Sequence, residues 1–223
     1  MMVRLAIEAI EAPHLQISQA PAIWSALEPA DVPPELSKLL HANGLRVGVC
    51  TEQGRPALIR ALEQEGFRSF AQTIDVLSTE PTELLAPEQE ARSFRMFLHC
   101  RDGSLVGQDY RQMLTALVVT PGIQADASQT VHLHVLPVIR STRARVRTVR
   151  TPDGFDRVQQ TEAQLLLELA MHVVLEEGQS LLIGPAPHAP DNLLVGTRFT
   201  IRDQTARPRE MLYMLTPRLI RQY

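Results

Sequence analysis

Val131-His132-Leu133-His134-Val135 alternates apolar and polar residues without a break. A period of two marks a half-buried strand, with both histidines on one face and the three aliphatic residues on the other. Working outward, the same character holds from about residue 71 onward. Ile74–Ser78, Ser93–Cys100, Gln112–Thr120, Thr130–Ile139 and Ala144–Val149 are strand candidates. Asp102-Gly103, Pro121-Gly122 and Asp153-Gly154 supply turn chemistry between them. Between Asp102 and Arg111 there is room only for a turn. Thr161–Glu177 carries two signals. Helix propensity favours Glu162-Ala163-Gln164-Leu165-Leu166-Leu167-Glu168-Leu169-Ala170, yet Ala170–Leu175 runs into Glu177-Gly178-Gln179, a hairpin-like turn before Ser180–Gly184. The segment is read as strand. Leu194–Arg202, a polar turn and Glu210–Thr216 close the chain in the same extended reading. Short turns between consecutive strand patterns predict sequential pairing. Val131–Ile139 should lie beside Leu114–Thr120, and Leu212–Thr216 beside Ser180–Gly184.

The N-terminal third differs. Val3, Leu5, Ile7 and Ala9 alternate with Arg4 and Glu8, a strand pattern that extends to Ala12. Pro13 and Pro21 bracket a loop leading to Trp24. Pro33-Pro34 suits the first turn of a helix, with Asp31 as its N-cap, Leu36, Leu39 and Leu40 as its apolar stripe and Asn43-Gly44 as its stop. Leu45–Cys50 reads as a short buried strand. A second helix is expected over Pro56–Glu65, with Leu58, Ile59 and Leu62 inward and Gly66 as terminator. Residues 1–70 thus read β-α-β-α and residues 71–223 mainly β. With no repeat and no dividing linker, the expectation is one α+β domain over 1–223, with two N-terminal helices packed on a largely antiparallel sheet.

Composition excludes more than it selects. The chain has 223 residues, 44% hydrophobic and 21% charged, enough to bury a real core. Its net charge of -3 gives no global attraction to nucleic acid or anionic lipid. No apolar run approaches the ~18 residues of a membrane-spanning helix. Met1–Ile10 has no signal-peptide apolar region and no cleavage site.

Several segments, taken in order, resemble the core β-domain of bacterial secretins, the ring-forming outer-membrane channels of type II and III secretion and of pilus systems. Val3–Ala9 resembles the opening strand with its I-E-A. Ala57–Leu62 followed by Val76-Leu77-Ser78-Thr79-Glu80-Pro81 resembles the helix that leads into V-L-S-x-P, and Gln89-Glu90-Ala91-Arg92-Ser93-Phe94 is similar to Q-E-A-x-F. Leu117–Pro121 and Val131–Val135 resemble the paired strands that follow. Glu177-Gly178-Gln179-Ser180-Leu181-Leu182-Ile183-Gly184 is similar to the D-G-E-T-V-V-I-G-G hairpin, and Glu210–Ile220 to the terminal E-L-L-I-F-L-T-P-R-I-I strand. Pro185 stands where secretins carry a second glycine. The loop after it is short, with Leu194–Phe199 keeping only its tail, and the central gate hairpin is missing. The resemblance implies a non-enzymatic structural or assembly protein of secretion without a full gated pore. Its partners would be copies of itself or other envelope components. Its place would be the periplasm or outer membrane if an export signal lies outside this chain, and the cytoplasm otherwise.

Candidate sites are few. His132 and His134 share a strand face and can ligate a metal with a third group such as His172, but no carboxylate or cysteine stands at ligand spacing, so solvated or hydrogen-bonded surface histidines are expected and no metal. Cys50 and Cys100 each end an apolar strand and are read as small buried residues. His99 and Cys100, adjacent on a strand, point to opposite faces and make no thiol-base pair. Arg143, Arg145, Arg147 and Arg150 are the one candidate binding patch, for phosphate, nucleic acid or a subunit carboxylate. The plainer reading is a charged edge strand. These arginines fall in the lipid-facing region of secretins, near Ser141–Gln160. At about 2–4 kcal/mol each at a bilayer midplane, they argue against insertion of this chain. The chain has no phosphate loop, GxGxxG, GxSxG or HExxH, so no catalytic residue, cofactor or small-molecule substrate is expected. The alternative function is a soluble anion- or nucleic-acid-binding module using Arg143–Arg150, though 4% aromatic content offers little base stacking.

Overall fold

In the computed structural model, the described residues are 2–77, 79–85, 92–123, 130–151, 154–187, 193–202 and 208–220; for 85, 143–151 and 154–161 the description is of the backbone alone. In chain order the elements are β1 (Met2–Pro13), α1 (Pro21–Ser25), α2 (Pro34–Ala42), β2 (Leu45–Cys50), α3 (Arg55–Gln64), β3 (Arg68–Leu77), β4 (Thr82–Leu85), β5 (Arg92–His99) and β6 (Leu105–Ile123). Then follow β7 (Val131–Thr151), β8 (Gly154–Leu165), a 3-10 turn (Leu167–Leu169), β9 (Met171–Leu175), β10 (Ser180–Pro185), α4 (Val195–Thr200), β11 (Ile201–Arg202) and β12 (Arg209–Ile220). All ladders among the described strands are antiparallel. The fold is α+β and largely antiparallel, as the sequence predicts.

The strands form two sheets, ordered β2-β10-β12-β1-β3 and β4-β6-β7-β8. Alternation decides what they bury. Val3, Leu5, Ile7 and Ala9 of β1 point into one cluster with Leu133 and Val135 of β7 and Val173 of β9, so that cluster draws on both sheets. The even positions Ile10 and Ala12 point the other way, into a second cluster built with Ile23 and Trp24 of α1 and Leu58 of α3. Helix α2 turns Leu36, Leu39 and Leu40 toward the first cluster. Strand β10 is buried at every position, because it has apolar neighbours on both faces: Leu181 and Ile183 lie in the first cluster and Leu182 in the second. A continuous apolar run is what such a strand requires.

The two predicted pairings are present. Leu114 to Thr120 face Arg140 to His134, and Leu181, Leu182 and Ile183 face Leu215, Met214 and Tyr213. Other expectations need correction. Strand β9 pairs with β7 while β10 pairs with β2 and β12, so Glu177-Gly178-Gln179 carries the chain between sheets and is not a hairpin. The two predicted strands Thr130–Ile139 and Ala144–Val149 are one, β7, with a register shift between Arg140 and Ala144. Pro121-Gly122 does not end β6, which stays paired to Ile123, and the Pro121 carbonyl accepts from Thr79 N at 2.7 Å. Leu105–Arg111, allotted to a turn, belongs to β6; only residues up to Ser104 turn, with Asp102 accepting from Ser104 N and Oγ at 2.9 and 2.6 Å.

Leu194–Arg202 is not one extended strand. Val195–Thr200 is helical, with Val195 and Phe199 buried one turn apart and the Thr200 hydroxyl donating to the Gly196 carbonyl at 2.9 Å. Gly196 N donates to Asn43 O at 2.7 Å, an approach so close that a Cβ on Gly196 would stand 2.5 Å from that oxygen. At the N-terminal end the loop between Pro13 and Pro21 is present, and Pro21–Ser25 after it forms a short helix. Pro33, not Asp31, occupies the cap position of α2 and makes no side-chain cap hydrogen bond, because its ring carries no polar atom, while Pro34 at N1 has no N–H to satisfy. Ile59 faces solvent, 46% exposed, while Leu58 is buried. Gly44 and Gly66 close their helices at φ of 81° and 66°, as expected.

Candidate functional site

The terminal strand is clamped at its first turn of chain. Glu210 is buried, and its carboxylate accepts from Ile17 N at 2.7 Å, Ser18 N at 2.8 Å and Ser18 Oγ at 2.6 Å. Beside it, buried Glu11 is paired with Arg209 Nε at 2.6 Å and lies 3.6 Å from Arg202. The loop held this way presents its Ile17 carbonyl to Trp24, whose Nε1–H donates to it at 2.8 Å. Trp24 in turn lies against Gly184, where a Cβ would meet the indole at 3.2 Å and Leu212 at 2.8 Å. A glycine is therefore needed at the end of β10. Arg46 covers the other side of the indole, 4.3 Å from the ring centroid.

The second sheet ends in two ribbons. Strand β7 is its spine: β8 and then β9 pair along one side, joined by the 3-10 turn, while β6 pairs along the other from Val131 to Ser141. At Gln112 the chain adopts φ of 53°, the left-handed region that non-glycine residues avoid. There β6 leaves β7. Its outer part, Leu105–Tyr110, pairs with β5, and Ala144–Thr151 of β7 pairs with β8 alone among the described residues. Each ribbon strand thus has one edge without a strand partner among the described residues. Ala144–Thr151 spans about 25 Å at ~3.4 Å per residue.

Arg143, Arg145, Arg147 and Arg150 have their backbone in this β7–β8 ribbon, with Arg145, Arg147 and Arg150 opposite Gln160, Val158 and Phe155. Their side chains lie outside the described residues. The histidines do come together. His134 sits directly opposite His172 in the β7–β9 ladder, and His132 Nδ1 lies 3.0 Å from His172 Nε2. Burial and the neighbouring His134 and His132 hold the His172 imidazole below its ordinary pKa, with Asp31 opposing them. No cluster of three or more His, Cys, Asp or Glu side chains is gathered about one point among the described residues. Cys50 is buried, Cys100 half-buried, and both are free. Burial pushes the Cys50 thiol up from its ordinary pKa, away from the reactive thiolate. Glu210 escaped the sequence reading; its one signal is a carboxylate at the edge of an apolar terminal strand.

No family model and no curated protein matches the chain. Among solved structures, it is similar to the secretin domain β-barrel of InvG from the Salmonella SPI-1 injectisome, at 13% identity and a TM-score of 0.31, with 100% of this chain and 64% of that chain covered. It is also similar to the type IV competence pilus secretin PilQ of V. cholerae, at 14% identity and a TM-score of 0.28, with 99% and 60% covered. The chain spans less than two thirds of the length of either.

Proposed function

We propose that residues 1–223 form a single secretin-like domain, a non-enzymatic structural and assembly component of bacterial protein secretion in the cell envelope. It joins copies of itself or other envelope components and lacks a full gated pore. The observation that carries this reading is the β7–β8 ribbon. A two-stranded ribbon is marginally stable alone, and its open edges offer unpaired N–H and C=O groups to another chain. The order of the secretin-like segments supports the same reading. The charge of Arg143, Arg145, Arg147 and Arg150 favours a ribbon kept in water and an acidic partner surface. Association of the isolated chain is weak, because the shortened loops remove contacts a complete secretin has.

Light scattering over a concentration series tests the proposal. The intact chain should gain mass with concentration, and a variant with 143–161 replaced by a short Gly-Ser turn should remain monomeric with an unchanged circular dichroism spectrum of its core. A strict monomer at every concentration overturns self-association through the ribbon. Binding of DNA by that monomer, with steep salt dependence, would establish the anion-binding alternative.

A further inference from the structure

We propose that His132 and His172 form a chelating pair for a divalent transition ion of the zinc, nickel or copper type on the outer face of the second sheet. Strand parity builds the site. Leu133 and Val135 turn inward from β7 and Met171 and Val173 inward from β9, all into the shared core, which leaves His132, His134 and His172 on the opposite face. The backbone under the pair is held by the β7–β9 ladder, so the two imidazoles are positioned before any ion arrives. Gly122 is the neighbour of His132 on the β6 side and puts no side chain beside it.

Two nitrogens each about 2.0–2.1 Å from a zinc ion at the tetrahedral angle stand about 3.4 Å apart. His132 Nδ1 and His172 Nε2 stand 3.0 Å apart, so a few tenths of an ångström of widening seats the ion. Imidazole nitrogen suits zinc, nickel and copper and leaves calcium or magnesium poorly served. The His134 ring lies against His172 at a 35° tilt, with ring centroids 4.4 Å apart. Asp31 is a carboxylate whose field reaches His172, while burial and the neighbouring His134 and His132 act against positive charge there. The chelate uses two protein ligands, and its remaining positions open outward to water or to a ligand from another molecule.

Calorimetric titration of the 223-residue chain with zinc chloride at pH 7.5 tests this. The expected result is one saturable site, weakened at least about tenfold by His172→Gln or His132→Gln, and weakened also as the pH falls toward 5.5, because the ligand is the neutral imidazole. Cys100→Ser should bind as the parent does. Histidine ring resonances that shift on zinc addition report the site directly, whatever the stability of a variant. No saturable binding, or binding that both histidine variants retain in full, overturns the proposal.

Discussion

Replacing Glu210 with alanine should be among the most damaging single changes in the chain. The carboxylate is 1% exposed and takes three hydrogen bonds from a loop that is otherwise remote in sequence. Truncation leaves the buried Ile17 and Ser18 N–H groups without their acceptor. A buried donor left unsatisfied costs about 1–3 kcal/mol, and bonds to a charged group are worth about 1.5–3 kcal/mol each. The three bonds share one carboxylate and do not add in full, so the expected loss is about 3–5 kcal/mol. That is a large part of the ~5–15 kcal/mol that holds a typical domain together. Ile17, wholly buried under the same loop, and the Trp24 indole bonded to its carbonyl loosen with it. Urea unfolding followed by the single tryptophan reads this directly. The midpoint should fall sharply, and the native emission should shift toward that of a water-exposed indole. A loss under about 1 kcal/mol with unchanged emission would refute the reasoning, since a buried acceptor of three bonds cannot be that dispensable.

Three further outcomes are expected. Gln112→Gly should be neutral or stabilising by up to about 1 kcal/mol, whereas Gln112→Val should destabilise by about 1–2 kcal/mol, because a β-branched residue is strained at positive φ; paired denaturant melts compare them. Gly196→Ala forces a methyl against the Asn43–Gly44 backbone and should lower stability by about 1–3 kcal/mol, read as a fall in the thermal midpoint. His172 takes up its proton at lower pH in the folded chain than the 6.5 of a free imidazole. Its contribution is therefore present above that value and lost as the pH falls through the folded one, and His172→Gln should flatten this part of a stability profile between pH 7.5 and 5.

Much of the architecture was legible because strand parity is a local property. Val3, Leu5, Ile7 and Ala9 announced β1, and Val131, Leu133 and Val135 announced β7, from residues that only one face of a sheet would choose. Where the reading failed, the deciding contact was distant. Glu177-Gly178-Gln179 has the chemistry of a reversal, but whether the chain returns along β9 or crosses to the other sheet depends on β2 and β12. The six residues of α4 show a helical spacing only in Val195 and Phe199, and their conformation is set by Asn43, which lies far earlier in the chain. The helix-like run Glu162–Ala170 kept a single 3-10 turn, because pairing with β7 on both sides of it outweighs propensity. His132 and His134 could be placed on one face by alternation, but the arrival of His172 opposite His134 rests on the β7–β9 register. The reading divided β7 between Ile139 and Ala144, where the ladder with β8 does shift register, although the strand itself runs on from Val131 to Thr151.

The interior strand β1 carries a consequence for synthesis. Its partner β12 supplies one whole edge of its ladder, and Glu210, which closes the clamp, follows Ser18 by 192 residues. At ~5–20 residues per second a ribosome needs roughly 10–40 s to cover that distance. Strand β3, which pairs on the other side of β1, emerges early and can shelter that edge first. Until β12 follows, the other edge of β1 waits as an open template, with apolar side chains above it. Over that interval the nascent chain is in a state that invites chaperone capture or pairing with a neighbouring nascent copy. A polysome translating this message densely would bring such copies close together.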